Sequence, residues 1–312
     1  MTDTLQARAI ATAVLGRDPG PMTVAESISH QVHVAADIVV KVIGAGDHPR
    51  LSREIALAPD LPAGITAALL DSGVHVVDGR QVRYACYARV PGAAPGMGLP
   101  GADRKTACAL AKQSVQRLGA LHAWSPSTRA AQILREPLDH GGFVTREALL
   151  AEIDGLQVPA ALLKGLRVIA VNAPERARVN VPVHADCHWG NWLASNGTLT
   201  ALLDFEWARF GEPMDDWFFV IADSGPHAPA VLDVITAETA IPPDVLRAEC
   251  EVREANYLAS DIRLAHANPR THARLLAQRM TRLTELITER PWWRPAPCRA
   301  CGSAGRGAAR PR

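Results

Sequence analysis

The dipeptide Asn196-Gly197 restricts this chain more than any other feature. Both residues accept the positive φ of a type I′ turn, so the pair closes a two-residue hairpin when apolar runs flank it. Folding there pairs Ser195 with Thr198, Leu193 with Thr200 and Asn191 with Leu202. Asp204 then falls beyond the register of Asn191, roughly 7 Å along the strand. An amide and a carboxylate thus converge at the open end of one hairpin. Oxygen donors from one or two side chains, completed by phosphate oxygens and water, are what Mg²⁺ prefers. Asp186 precedes Asn191 by five residues, on the loop that enters the hairpin.

The rest of the chain must house this hairpin. With 312 residues it exceeds a usual single core, and two lobes are expected. Its formal net charge of +1 and 48% hydrophobic residues suit a globular enzyme and lack the basic excess of a nucleic-acid binder. No apolar run reaches the roughly 18 residues of a membrane span, and the first residues carry no secretory pattern. Six scattered cysteines do not resemble a disulfide framework, which points to a cytoplasmic protein.

Residues 23–90 read as strands, at 32–34, 38–43, 74–77 and 82–88, with one helix over 49–58. The Gly/Pro-rich segment 90–98 reads as a connector. Helical patterns follow at 103–123, 145–156, 160–170 and 244–289, the last broken near Asn268-Pro269. An N-terminal lobe over 1–90, a helical lobe over 91–295 and a basic, disordered tail over 296–312 are expected. The tail holds Cys298 and Cys301 with no second pair nearby to complete a zinc site. The indoles of Trp292 and Trp293 are expected to close the fold against the last helices.

Phosphoryl transfer to an alcohol needs a carboxylate beside the attacking hydroxyl and metal ligands on the nucleotide phosphates. The spacing Asp186, Asn191, Asp204 supplies that set. Moreover His184-Ala-Asp186-Cys-His188-Trp-Gly190-Asn191 resembles the catalytic segment of the aminoglycoside phosphotransferase and choline kinase-like family. Leu203-Asp204-Phe205-Glu206 and Gly211-Glu212-Pro213-Met-Asp215-Asp216-Trp217 are similar to that family's later elements. The resemblance implies an α+β, bilobal protein-kinase-like fold with a small antiparallel sheet lobe and a larger helical lobe. It implies Asp186 as catalytic base, Asn191 and Asp204 as Mg²⁺ ligands, and His184 and Asp216 as supports of the loop.

Lys41 interrupts the apolar run 38–43 in a chain with only four lysines. The resemblance makes it the phosphate-binding lysine, with Glu54, thirteen residues on, as its acidic partner. Ala88 and Val90 fall in the lobe hinge, where backbone groups would bond the purine of ATP or GTP. His122, ending Leu118-Gly-Ala-Leu121-His122, is expected to be structural. Three departures stand out. Ala185 replaces a usual Gly, which is mild if its φ is negative; Trp189 replaces a common Pro; and no Gly-rich loop is present, leaving Ser29 as a weak phosphate contact.

From Asp204 to Asp261 thirteen acids face three arginines. If the C-terminal helices wall the acceptor pocket, that balance favours a cationic acceptor. Glu251, Glu254 and Asp261, at helical spacing, are expected to line it, and Glu206 is a separate candidate. The reading is a kinase that phosphorylates a hydroxyl of an aminoglycoside or another hydroxylated, cationic antibiotic and so confers resistance. A metabolic kinase for choline, homoserine or a sugar, and a non-catalytic kinase-fold binding protein, are the alternatives.

Overall fold

The computed structural model describes residues 3–25, 27, 30–44, 46, 49–77, 79–138, 145–267 and 269–293. Ser29, Cys298, Cys301 and the whole 296–312 tail lie outside the described residues.

A five-stranded antiparallel sheet forms the first half. Its strands are β1 (Thr23–Ala25), β2 (Gln31–Val34), β3 (Ile38–Gly44), β4 (Leu69–Val77) and β5 (Arg80–Ala88), in the order β1-β2-β3-β5-β4. The central strand β3 shows period-two burial, as a strand covered on both faces by unlike neighbours should. Val40 and Val42 point to one face, where helix α1 (Asp3–Leu15) packs Ala7, Ile10 and Ala11 against them. Val39, Lys41 and Ile43 point to the opposite face and line a cleft. Helix α2 (Arg50–Leu57) buries Leu51 and Leu57 while carrying Glu54 inward.

The second half is helical: α3 (Arg104–His122), α4 (Thr128–Arg135), α5 (Arg146–Asp154), α6 (Ala160–Ala170), α7 (Met214–Ala222), α8 (Ala228–Thr239), α9 (Pro243–Ala267) and α10 (Pro269–Glu289). Asp103, Ser127 and Thr145 each accept a backbone N–H from the first turn of the helix they start, which explains where α3, α4 and α5 begin. The long apolar pattern over 244–289 divides between Ala267 and Pro269. The sequence reading missed α1, α4, α7 and α8. Their apolar faces are short or interrupted by small residues, and packing decides them rather than periodicity. Among the described residues, no single helix is long and apolar enough to cross a membrane.

Two small antiparallel pairs sit between the halves: β6 (Val181–Val183) with β9 (Arg209–Gly211), and β7 (Trp192–Ser195) with β8 (Thr198–Leu202). The latter is the expected hairpin. Asn196 and Gly197 take φ of 51° and 75°, as a type I′ turn demands. Ser195 pairs with Thr198, but a bulge between Leu193 and Ala194 then shifts the register. Leu193 faces Ala201 rather than Thr200, and Trp192 faces Leu202. Leu203 N–H donates to Asn191 O at 2.7 Å, so Asp204 lies one residue past Asn191 instead of two. The cause lies outside the hairpin. Ala93 of the connector exchanges two hydrogen bonds with Ala194, at 2.9 and 3.0 Å, and Thr200 Oγ1 donates to Pro91 O at 2.8 Å.

That docking leaves no room at Gly92. Its φ is 133°, and a Cβ there would meet Ala194 O at 2.8 Å. Gly92→Ala is therefore expected to destabilise the protein by about 1–3 kcal/mol, from backbone strain and overlap together. Urea unfolding at constant m-value measures it.

Candidate active site

Lys41 Nζ lies 2.9 Å from both carboxylate oxygens of Glu54 and 3.0 Å from Asp204 Oδ1. The ammonium is nearly enclosed, and burial alone would lower its pKa. The two carboxylates outweigh burial and raise it, so Lys41 stays charged. Burial likewise opposes ionisation of Asp204, yet Lys41 holds that carboxyl below its usual range. Helix α2 is clamped so that Glu54 stays in reach. Arg53 donates twice to Ala208 O, at 2.9 and 2.8 Å, and the Arg50 guanidinium lies 4.7 Å from the Trp207 ring centre.

The loop 184–191 is held by one carboxylate. Asp216, fully buried on α7, accepts His184 N–H at 3.1 Å and Ala185 N–H at 2.7 Å. His122 Nε2 lies 2.8 Å from Asp216 Oδ2, the oxygen that also accepts His184 N–H. Burial opposes the Asp216 charge, but these partners prevail and keep its carboxyl below the usual range. His184 bonds Leu203 O through Nε2 at 2.8 Å and takes Asp186 N–H on Nδ1 at 3.2 Å. Only the neutral Nε2–H tautomer satisfies both contacts, and burial lowers its pKa accordingly. His184 is therefore occupied with loop geometry. Trp189 anchors the far side, donating to Ser224 Oγ at 2.8 Å.

Ala185 departs from the expectation of a negative φ: it sits at +65°. The two amides flanking it must both turn toward Asp216, and a left-handed residue between them achieves this. Asp204 is left-handed as well, with φ 69° and ψ 61°.

Asn191 Nδ2 donates to Asp186 O at 2.8 Å and lies 3.3 Å from Asp186 Oδ2. With its nitrogen so engaged, the amide oxygen is the end left to ligate a cation. Burial, followed by the charges of Asp204, Glu206 and Asp223, raises the Asp186 carboxyl well above its ordinary range. Lys41, Glu54, Asp186, Asn191 and Asp204 all line one cleft of ≈ 1010 Å³ between the sheet and the helical half. Ala88 and Val90 lie at its hinge side. Ala88 N–H already donates to Ala68 O at 2.8 Å, whereas Val90 N–H meets no acceptor among the described residues.

The structure redistributes the expected acceptor wall. Glu206 follows the left-handed Asp204 in a 3-10 turn, which folds it back into the cleft beside His30 Nε2 at 3.4 Å and Arg50. Ligand atoms of His30, Asp204 and Glu206 fall within 4.8 Å of one another. Glu251 is fully buried and engaged by Arg290, at 2.5 and 2.8 Å, and by Trp293 Nε1, so it ties down the segment that follows α10 instead. Glu254 and Asp261 do line a second cavity, of ≈ 760 Å³, but Arg282 and Arg279 occupy them. The sequence reading passed over His30, Arg50, Arg53 and Asp223. Arg50 and Arg53 left a trace as cations beside Glu54 on the same short helix, and Asp223 only as one of the thirteen acids counted from Asp204 to Asp261.

Residues 26–249 match the phosphotransferase enzyme family. No curated protein matches the sequence. Among solved structures, the chain is similar to a GDP complex of wild-type aminoglycoside 2'-phosphotransferase-IIIa, with 17% identity and TM-score 0.69 over 92% of this chain and 98% of that one. A ternary complex of aminoglycoside phosphotransferase APH(4)-Ia with ADP and hygromycin B shows 15% identity and TM-score 0.60, over 90% and 98%. Macrolide 2'-phosphotransferase type I shows 19% identity and TM-score 0.60, over 91% and 99%. The shared fold is the bilobal protein-kinase-like one.

Two outcomes follow from the loop geometry. Ala185→Gly removes a left-handed strain of about 1–2 kcal/mol at an entropic cost of about 0.5–1, so stability should hold or rise in thermal melts. Asp216→Asn should cost about 2–4 kcal/mol at neutral pH, because three donors lose an anionic acceptor. The depressed Asp216 pKa makes its contribution complete above the unfolded value of about 3.9 and lost as pH falls through the lower folded one. The gap between the two proteins in urea melts should accordingly narrow below about pH 4.

Proposed function

Because the chain belongs to the phosphotransferase enzyme family, we propose that it moves the γ-phosphoryl of ATP or GTP to a hydroxyl of a small acceptor. The acceptor class that fits is an aminoglycoside or another hydroxylated, cationic antibiotic, whose modification would confer resistance. One observation carries this reading: the Lys41–Glu54–Asp204 ion triad and the Asp186–Asn191 pair open onto the same cleft. A binding module gains nothing from assembling both.

In this reading residues 1–90 form the nucleotide lobe and 91–295 the catalytic lobe. Val90 N–H and the Ala88 carbonyl bond the base, and Lys41, oriented by Glu54, meets the α- and β-phosphates. The Asn191 amide oxygen and Asp204 would hold Mg²⁺, which supplies charge neutralisation for the phosphates when bound. Asp186 accepts the hydrogen bond of the acceptor hydroxyl, aims its oxygen at the γ-phosphorus and takes the proton as the new O–P bond forms, while the bond from the γ-phosphorus to the β–γ bridging oxygen breaks and the nucleoside diphosphate leaves. Asn191, by bonding the Asp186 carbonyl and carboxylate together, fixes where that oxygen points. His184 and Asp216 hold the loop and touch no reactant.

The test is a screen of hydroxylated antibiotics and small alcohols with ATP and with GTP, read by mass spectrometry. An acceptor gaining one phosphoryl group is expected, with kcat reduced about 10²–10⁴-fold in Asp186→Asn at unchanged nucleotide affinity. An Asp186→Asn protein as active as the wild type would defeat the assignment.

A further inference from the structure

The second cavity lies next to the reacting loop. Asp223 ends α7 on its wall, and its neighbour Ser224 holds the Trp189 indole of the loop. Gly96 and Gly98 of the connector bond Trp189 O and Asp223 O, at 3.3 and 2.7 Å, bracing both sides of this junction. The charge of Asp223 adds, after burial and the charges of Asp204 and Glu206, to the raised pKa of Asp186. Asp223 and Ser224 thus join this cavity to the loop that carries Asp186, which itself lines the neighbouring cleft.

Its lining is not the acidic wall that composition suggests. Four carboxylates, Asp223, Asp233, Glu254 and Asp261, face three arginines, Arg247, Arg279 and Arg282, leaving one formal negative charge. Glu254 is taken by Arg282 and by Trp292 Nε1 at 2.5 Å, and Asp261 by Arg279 at 2.7 Å. Asp233 lies 3.9 Å from Arg104. Among the described residues, no group bonds the Asp223 carboxylate. Burial pushes it up to about 7, as expected of a carboxylate left without a full counter-charge. Between the charges lies an aromatic surface. Tyr257 stacks on Phe218 with centroids 5.5 Å apart and planes 6° apart, Phe219 meets Tyr257 edge-on at 5.3 Å, and Trp292 lies 6.2 Å from Phe218.

We propose that this cavity takes an amphipathic alcohol with one basic amine and a bulky apolar ring system, the amine bonding Asp223 and the rings covering the aromatic wall. This rests on the phosphotransferase reading and narrows its acceptor class away from polycations. A polyamine would meet one open carboxylate, because Glu254 and Asp261 are already paired with Arg282 and Arg279, a poor match for many charges. A single ammonium satisfies the open carboxylate, and apolar rings gain from leaving water against the indole and phenyl faces.

The test compares three probes on the full chain: a ring-bearing monoamine alcohol, its N-acetylated counterpart, and a polyamine aminosugar. Calorimetry reads binding and mass spectrometry reads phosphorylation. The monoamine should bind about tenfold or more tightly than the polyamine. Asp223→Asn should weaken the monoamine by about tenfold and leave the N-acetylated probe unchanged, which a merely structural role would not do. Arg279→Ala, at a half-exposed side chain that releases Asp261, should improve the polyamine. Tighter polyamine binding in the wild type, or equal losses of both ring probes in Asp223→Asn, would overturn the proposal. Monoamine binding without phosphorylation would instead defeat the phosphotransferase reading and leave the cavity assignment standing.

Discussion

One ammonium fixes the relation between the two halves of this protein. Lys41 comes from the central strand of the sheet, Glu54 from α2 and Asp204 from the end of the hairpin, 163 residues away in sequence. An ammonium taken out of water costs several kcal/mol unless its partners are close and well aimed. Both partners are within 3.0 Å here, and any movement that separates the halves breaks the Lys41–Asp204 contact. The Arg53 bonds to Ala208 O and the Arg50 stack on Trp207 act along the same seam. They hold α2 against the turn that follows Asp204, so Glu54 cannot drift from Lys41 independently.

The loop 184–191 is stabilised by a different logic. It has no regular secondary structure, and its backbone groups need acceptors from elsewhere. Asp216 supplies them for residues 184 and 185, His184 for residue 186, and His188 for Gly190 at 3.1 Å. Beneath Asp216, Arg253 of α9 is buried among Asp215, Glu212 and Glu249. That cluster locks α7 onto α9, which makes α7 a rigid support for the carboxylate that holds the loop. The strain at Ala185 persists because both flanking amides are fixed by one acceptor.

What was readable in the chain was local or short in range. The Asn196-Gly197 turn is dictated by its own φ preferences, and it appeared where expected. The bulge that follows was not readable, because its cause is Ala93, a residue about a hundred positions upstream that pairs with Ala194. The sign of φ at Ala185 was likewise invisible, since it depends on Asp216 reaching under the loop. Lys41 and Glu54 were found through the resemblance to a known family, not through periodicity. His30 reached no candidate list because only the fold brings it beside Glu206.

Charge is where sequence and space diverge most. The run from Asp204 to Asp261 is acidic along the chain, but α10 returns antiparallel to α9 and lays arginines beside those acids. Arg279 and Arg282 of α10, and Arg290 just beyond it, each neutralise a carboxylate of α9. Asp223 escapes because it belongs to the end of α7, out of their direct hydrogen-bonding reach. The field inside the second cavity is therefore set by helix pairing, not by the composition of any one segment. A wall that would repel anions and gather polycations becomes nearly neutral, with one carboxylate left open beside the reacting loop. What distinguishes such a wall is the shape of its aromatic surface and the placement of a single charge, not a surplus of acids.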